Sequence, residues 1–87
     1  MDQQPYPLFG SGSPPAIPDT KRYAYNSAGQ LQYEGWASSA TNPQPNQAVW
    51  AIKMYTYSGT QLVLEQWANG SSSRTNVWNN AASLGYQ

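Results

Sequence analysis

The chain has no cysteine and no histidine, and its 87 residues include only four acidic and four basic ones. Without cysteine there are no disulfide staples and no thiol nucleophile. Without either residue, the usual zinc sites and a His-based triad are excluded. Charged residues make up 9% of the chain, against about 25% in an average soluble domain. Lys21, Arg22, Lys53 and Arg74 balance Asp2, Asp19, Glu34 and Glu65 to a net charge of zero. No basic patch is available to neutralise phosphates, which argues against nucleic acid as a partner. No apolar run approaches the roughly 20 residues of a membrane helix, and the N-terminus lacks the charged-then-apolar pattern of a secretory leader. The expectation is a protein that engages neither nucleic acid nor membrane.

In place of charge the chain carries Ser, Thr, Asn and Gln, together with seven Tyr and four Trp. Near-zero net charge favours association, and aromatic enrichment with charge depletion is the composition of an interface centre. The length suits one small domain.

The first twenty residues stand apart as an expected arm, leaving residues 21–87 as a small β-domain. Pro5, Pro7, Pro14, Pro15 and Pro18 fall in this arm with the stretch Gly10 to Ser13. Proline fixes φ and removes donors, so the arm reads as extended, with no hydrogen-bond ladder of its own. Pro5, Tyr6, Pro7, Leu8 and Phe9 form a candidate anchor and Gly10 to Ser13 the slack behind it. The anchor docks on a neighbouring chain or folds back on its own domain.

From Lys21 the sequence repeats itself. Lys21, Tyr23, Tyr25, Gln30, Leu31, Glu34, Trp36 and Ala37 recur in order as Lys53, Tyr55, Tyr57, Gln61, Leu62, Glu65, Trp67 and Ala68, with one residue deleted in the second turn. Each copy alternates, is rich in aromatic or β-branched residues and holds a central glycine, which predicts an antiparallel hairpin. The fold class expected is mostly β: two repeat-related hairpins forming one small sheet or a sandwich. Pairing Tyr25 with Gln30, and Tyr57 with Gln61, would set Lys21 opposite Glu34 and Lys53 opposite Glu65. That register gives an expected core face of Ala24, Leu31, Tyr33, Trp50, Ile52, Met54, Leu62 and Leu64. The opposite face carries Tyr23, Tyr25, Trp36, Tyr55, Tyr57 and Trp67, with Val63 and the Lys–Glu pairs. A one-residue slip would exchange the faces. Ser38 to Gln47 and Asn69 to Ser73 read as loops. Thr75 is expected to N-cap a short helical turn through Val77, Trp78 and Ala81, and Leu84 to Tyr86 to close the sheet.

Chemistry is poorly provided for. Glu34 and Glu65 occupy equivalent positions, as a glycosidase pair could, but each already has a repeat-matched lysine. Gly10-Ser11-Gly12 lacks the helix and lysine of a phosphate loop. The expectation is a non-enzymatic protein with no metal and no cofactor. The six-ring face is the candidate binding surface, for other proteins or for sugar rings, on which Tyr and Trp stack.

The strings Tyr25 to Leu31, Trp50 to Tyr57, Gln66-Trp67-Ala68-Asn69-Gly70 and Val77-Trp78-Asn79-Asn80-Ala81-Ala82-Ser83 resemble small virion-associated proteins of tailed bacteriophages. The shared features are a Tyr-x-Tyr strand, an Ala-Asn-Gly turn and a terminal Trp-Asn-Asn element. The chain departs from that pattern at Ala81, where a basic residue is expected, so no salt bridge carries over there. The resemblance implies location in the virion, as a capsid decoration, neck or tail component, with other virion proteins and copies of itself as partners. Recognition of surface glycans is the alternative.

Overall fold

The computed structural model describes residues 18–87, in which the elements run β1 (Asp19–Tyr25), β2 (Leu31–Ser38), β3 (Ala48–Ser58), β4 (Gln61–Trp67) and β5 (Asn76–Val77). A short 3-10 turn covers Ser39–Thr41 and a second, Trp78–Ser83, follows β5. The expected arm anchor, Pro5 to Phe9, lies outside the described residues.

The two hairpins form one sheet, not a sandwich. β1, β2, β3 and β4 lie in sequence order, all antiparallel, and β5 pairs with β3 beyond the end of β4. The hairpins are joined by β2–β3 pairing, in which Glu34 faces Lys53 and Gly35 faces Ile52.

Each turn is built from its own residues. In the first, the Asn26 side-chain oxygen accepts from the backbone N–H of Ala28 and of Gln30, and the Asn26 N–H donates to the Gln30 carbonyl at 2.9 Å. Local side-chain bonds of this kind favour turns over strands. In the second, Ser58 pairs with Gln61 across Gly59-Thr60, and Gly59 adopts φ 61°. A two-residue hairpin loop needs positive φ at its first position, which glycine adopts without steric cost.

These turns correct the expected register. Lys21 stands opposite Trp36 and Tyr23 opposite Glu34; likewise Lys53 faces Trp67 and Tyr55 faces Glu65. In each hairpin the second strand carries one residue too many just past the turn. Gln32 is skipped between the pairs Tyr25–Leu31 and Ala24–Tyr33, and Val63 between Tyr57–Leu62 and Thr56–Leu64. The turns close one residue from the expected position and the bulges add another, so both ladders are offset by two. Beyond the bulges the even offset preserves the side-chain alternation, and the faces stay as expected. Leu31 and Leu62, between turn and bulge, stand opposite Tyr25 and Tyr57 and so move from the expected core face to the ring face. The Lys–Glu pairs survive as diagonal neighbours.

The core occupies only half of the apolar face. Trp50, Ile52, Ala37 and Ala68 are buried, with Tyr33, Val49, Trp78, Leu84 and Tyr86 packed against them and Ala81 completing the cluster. The segment after β4 folds over this end of the sheet. Tyr86 bridges Ala68, its ring centroid lies 5.7 Å from that of Tyr33, and Trp78 sits 6.2 Å from Trp50. Gly35 makes room for it, since a Cβ there would lie 2.7 Å from the Trp78 ring. Asn76 is buried and ties the crossing together. Its amide donates to the Trp50 carbonyl at 3.2 Å and its oxygen accepts from Asn69 at 2.9 Å. Buried amides hold their place when satisfied in this way.

Two further expectations change. Leu62 and Leu64, placed in the core by alternation, are each 46% exposed. The covering segment ends over Tyr33 and Ala68 and leaves Leu64 on the open, turn-proximal half of the face, while the bulge turns Leu62 to the other face, opposite Tyr57. The helical turn starts at Trp78 and is 3-10, without a side-chain cap from Thr75, because Asn76 and Val77 are drawn into pairing with β3.

Candidate binding face

On the other face the repeat becomes a pattern of contacts. Lys21 reaches over the rings of Tyr23 at 5.9 Å and Trp36 at 5.6 Å. Lys53 does the same over Tyr55 at 5.8 Å and Trp67 at 5.1 Å. Each lysine is flanked by its neighbour two along the strand and by the tryptophan directly opposite, as the observed register dictates. Each also meets its repeat-matched glutamate, Lys21 with Glu34 at 3.1 Å and Lys53 with Glu65 at 2.6 Å. The two units join where Trp36 and Trp67 lie 5.3 Å apart, tilted by 46°.

Glu34 is the hub between the two units. It is buried, while its counterpart Glu65 on the edge strand is exposed. One carboxylate oxygen accepts from the Tyr55 hydroxyl at 2.6 Å and the other takes Lys21. The bond to Glu34 holds the Lys21 ammonium above the ordinary lysine pKa. Further along, the Tyr57 hydroxyl donates to the Leu31 carbonyl and the Gln30 amide to the Gly59 carbonyl, locking the two turns side by side. Cross-hairpin bonds of this kind pre-organise the face before anything binds it.

All six expected site residues, Tyr23, Tyr25, Trp36, Tyr55, Tyr57 and Trp67, lie at alternating positions of β1 to β4. Tyr23 and Tyr25 are the most open, at 49% and 62% exposure, and the other four are half-buried against one another and the lysines. Sequence reasoning missed the lysine intercalation and the burial of Glu34. The signal for the first was present, because Lys, Tyr and Trp repeat together. The second depends on β2 being an inner strand, which the repeat does not reveal.

The face suits adhesion by flat contact. Among the described residues there is no enclosed pocket and no group of three metal-ligating side chains. Both glutamates on the face are engaged by lysine, and the described Asp19 is held by a bidentate pair with Arg74 at 2.7 and 2.8 Å, which keeps its carboxyl below the usual value. Rings braced from the side by ammonium groups present planar apolar area whose side-chain entropy is already partly spent.

Two tyrosines set an alkaline limit to the fold. Burial, then the Glu34 bond and charge, push the Tyr55 hydroxyl far up, and burial with nearby Tyr33 pushes Tyr86 up to about 12. Both are neutral acids whose proton is held more tightly in the folded chain than at the ordinary value of about 10. Their contribution is therefore fully present below pH ~10 and is lost as pH climbs through the raised values. The urea midpoint is expected to fall from about pH 9 to about pH 12, less steeply in Tyr86→Phe; a midpoint flat over that range contradicts the assignment.

Comparison with protein families, curated proteins and solved structures returns no match to this chain.

Proposed function

We propose that this chain is a non-enzymatic structural component of a tailed-bacteriophage particle that attaches to other virion proteins through the aromatic face, with residues 1–20 as a second attachment. The carrying observation is the braced six-ring face itself, on which Tyr23 and Tyr25 remain half or more exposed. Rings left open on a rigid platform, whose neighbouring lysines are already paired with glutamates, offer what a protein interface centre uses. The Tyr-x-Tyr, Ala-Asn-Gly and Trp-Asn-Asn strings supply the virion setting.

The test replaces Tyr23→Ser and Tyr25→Ser together, exposed changes that leave the core intact, and counts copies of the chain per purified particle by quantitative mass spectrometry. Incorporation is expected to drop on the order of tenfold or more, since aromatic anchors commonly carry at least ~2 kcal/mol each. Undiminished incorporation refutes the face as the attachment, and absence of the wild-type chain from particles refutes the virion setting. A truncation lacking residues 1–17 reads the arm in the same assay.

A second reading, glycan recognition, draws on the neighbouring Trp36 and Trp67 rings, because sugar rings stack on such surfaces. A broad glycan panel separates the two. Binding lost in the double Tyr variant favours the sugar, and silence across the panel removes it.

A further inference from the structure

We propose that the open half of the apolar face is the seat of this chain's own N-terminal arm, with Tyr6, Leu8 and Phe9 laid over Ala24, Met54 and Leu64. The register lays out the surface. Ala24, Tyr33 and Met54 stand side by side across β1, β2 and β3, and Thr56 and Leu64 form the next pair towards the turns. Leu64 is 46% exposed, while Ala24, Tyr33 and Met54 are half-buried. The covering segment reaches this area only with the Tyr86 ring, beside Tyr33, and Gln87 then pairs with Trp67. What remains is an apolar floor with one aromatic wall.

Reach is the first observation that selects the occupant. The Ser39 hydroxyl donates to the Pro18 carbonyl at 2.6 Å, which fixes where the arm leaves the domain, at the start of β1. From there to Ala24 is about 20 Å along the strand, at about 3.3 Å per residue. The stretch from Pro18 back to Phe9, rich in proline, spans about 28 Å at about 3.1 Å per residue. The surplus lies in Gly10 to Ser13, where two glycines let the chain reverse and bring Phe9, Leu8 and Tyr6 back across the floor.

Charge is the second. Of the four acids, Asp19, Glu34 and Glu65 are taken by Arg74, Lys21 and Lys53. The remaining acid is Asp2, in the arm, and the remaining base is Arg22. Arg22 is the one charged side chain that the strands place on the apolar face, next to Ala24, and its Nε is buried with no partner among the described residues. An arm that returns across the floor carries Asp2 back towards this guanidinium. The ring face offers the apolar anchor no such match, since both Lys–Glu pairs lie on it. Tethering favours the chain's own arm over a second copy's, because a short linker holds it at millimolar effective concentration. The six rings take no part, so the seat is independent of the attachment proposed above; in a particle the arm serves as an attachment only by leaving it.

The absence of cysteine makes the test direct. In the full-length chain, Gly10→Cys is combined with Ala24→Cys or with Tyr25→Cys, neighbours in β1 at equal reach but on opposite faces. Under mild oxidation the Ala24 pair is expected to close a disulfide within one chain roughly tenfold or more faster than the Tyr25 pair. Adding Leu8→Ser and Phe9→Ser is expected to abolish that preference. Thr56→Cys, exposed on the same half of the face, replaces Ala24→Cys if the latter disturbs the strand. Equal or faster closure at Tyr25, disulfides chiefly between chains, or a preference that survives loss of Leu8 and Phe9 overturns the proposal.

Discussion

Trp50→Ala is expected to cost about 3–5 kcal/mol, a large fraction of a domain stability on the order of 5–15 kcal/mol. Trp50 is fully buried at the point where the sheet and the C-terminal segment meet. Its indole N–H donates to the Gln44 carbonyl at 2.9 Å, anchoring the loop that leads from β2 into β3. One side of its ring carries the Arg22 guanidinium at 5.7 Å, and Trp78 packs on it at 6.2 Å. Truncation would therefore open a cavity, release a loop and leave the guanidinium of Arg22, whose Nε is already buried without a partner, without its seat. Urea unfolding followed by far-UV circular dichroism measures the loss. A cost below about 2 kcal/mol would mean that the site collapses around the gap and the core lies elsewhere.

Gly35→Ala should destabilise by about 1–3 kcal/mol, although it adds a single methyl group to a strand where alanine is ordinarily the better residue. The new Cβ would lie 2.7 and 2.9 Å from Trp78 ring carbons and 3.2 Å from the Trp50 ring. Those are rigid ring atoms, not the ends of flexible chains, so the Trp78–Ser83 turn must lift. Amide hydrogen exchange in residues 76–82 is expected to accelerate in the variant, ahead of the β1 to β4 ladder. Placing the same change in a Trp78→Ala background isolates the cause, since residues in contact couple by about 0.5–3 kcal/mol. If Gly35→Ala costs as much without the Trp78 ring as with it, the close approach is not what selects glycine here.

These two positions also mark the boundary of what the amino-acid string discloses. Trp50 stands out as a large apolar residue on the inward side of an alternating strand, and it is buried as alternation demands. Gly35 reads only as a weak point in a strand. Its purpose depends on Trp78, more than forty residues away in the chain, and no local pattern announces that meeting. The same contrast separates Ile52 from Leu64. Both alternate onto one face, yet Ile52 is fully buried and Leu64 is 46% exposed. Alternation assigns a side of the sheet; only the path of the covering segment decides which part of that side loses its water.

The register shows a subtler division. The repeat correctly pairs Lys21 with Glu34 and Lys53 with Glu65 as contacts, while misplacing both by two positions along the ladder. Bulges at Gln32 and Val63 cause part of that error, and a bulge has no strong sequence signature. The error did no harm to the six-ring site because beyond the bulges the offset is even; only Leu31 and Leu62, between turn and bulge, change face. With Lys21 directly across from Trp36 instead of Glu34, each ammonium comes to lie between two rings, so the braced aromatic face is a product of the observed register.

By itself the sequence determined that this chain makes two hairpins and that the rings gather on one side. Those properties follow from the two-residue period of an extended backbone and from turn chemistry confined to a few neighbouring positions. The tertiary structure alone decided that the hairpins merge into one sheet through β2 and β3, that Glu34 is buried while Glu65 is exposed, and that β4 keeps a bare apolar edge. Those outcomes rest on contacts between residues distant in the chain, whose pairing depends on total burial and geometry and not on any local preference.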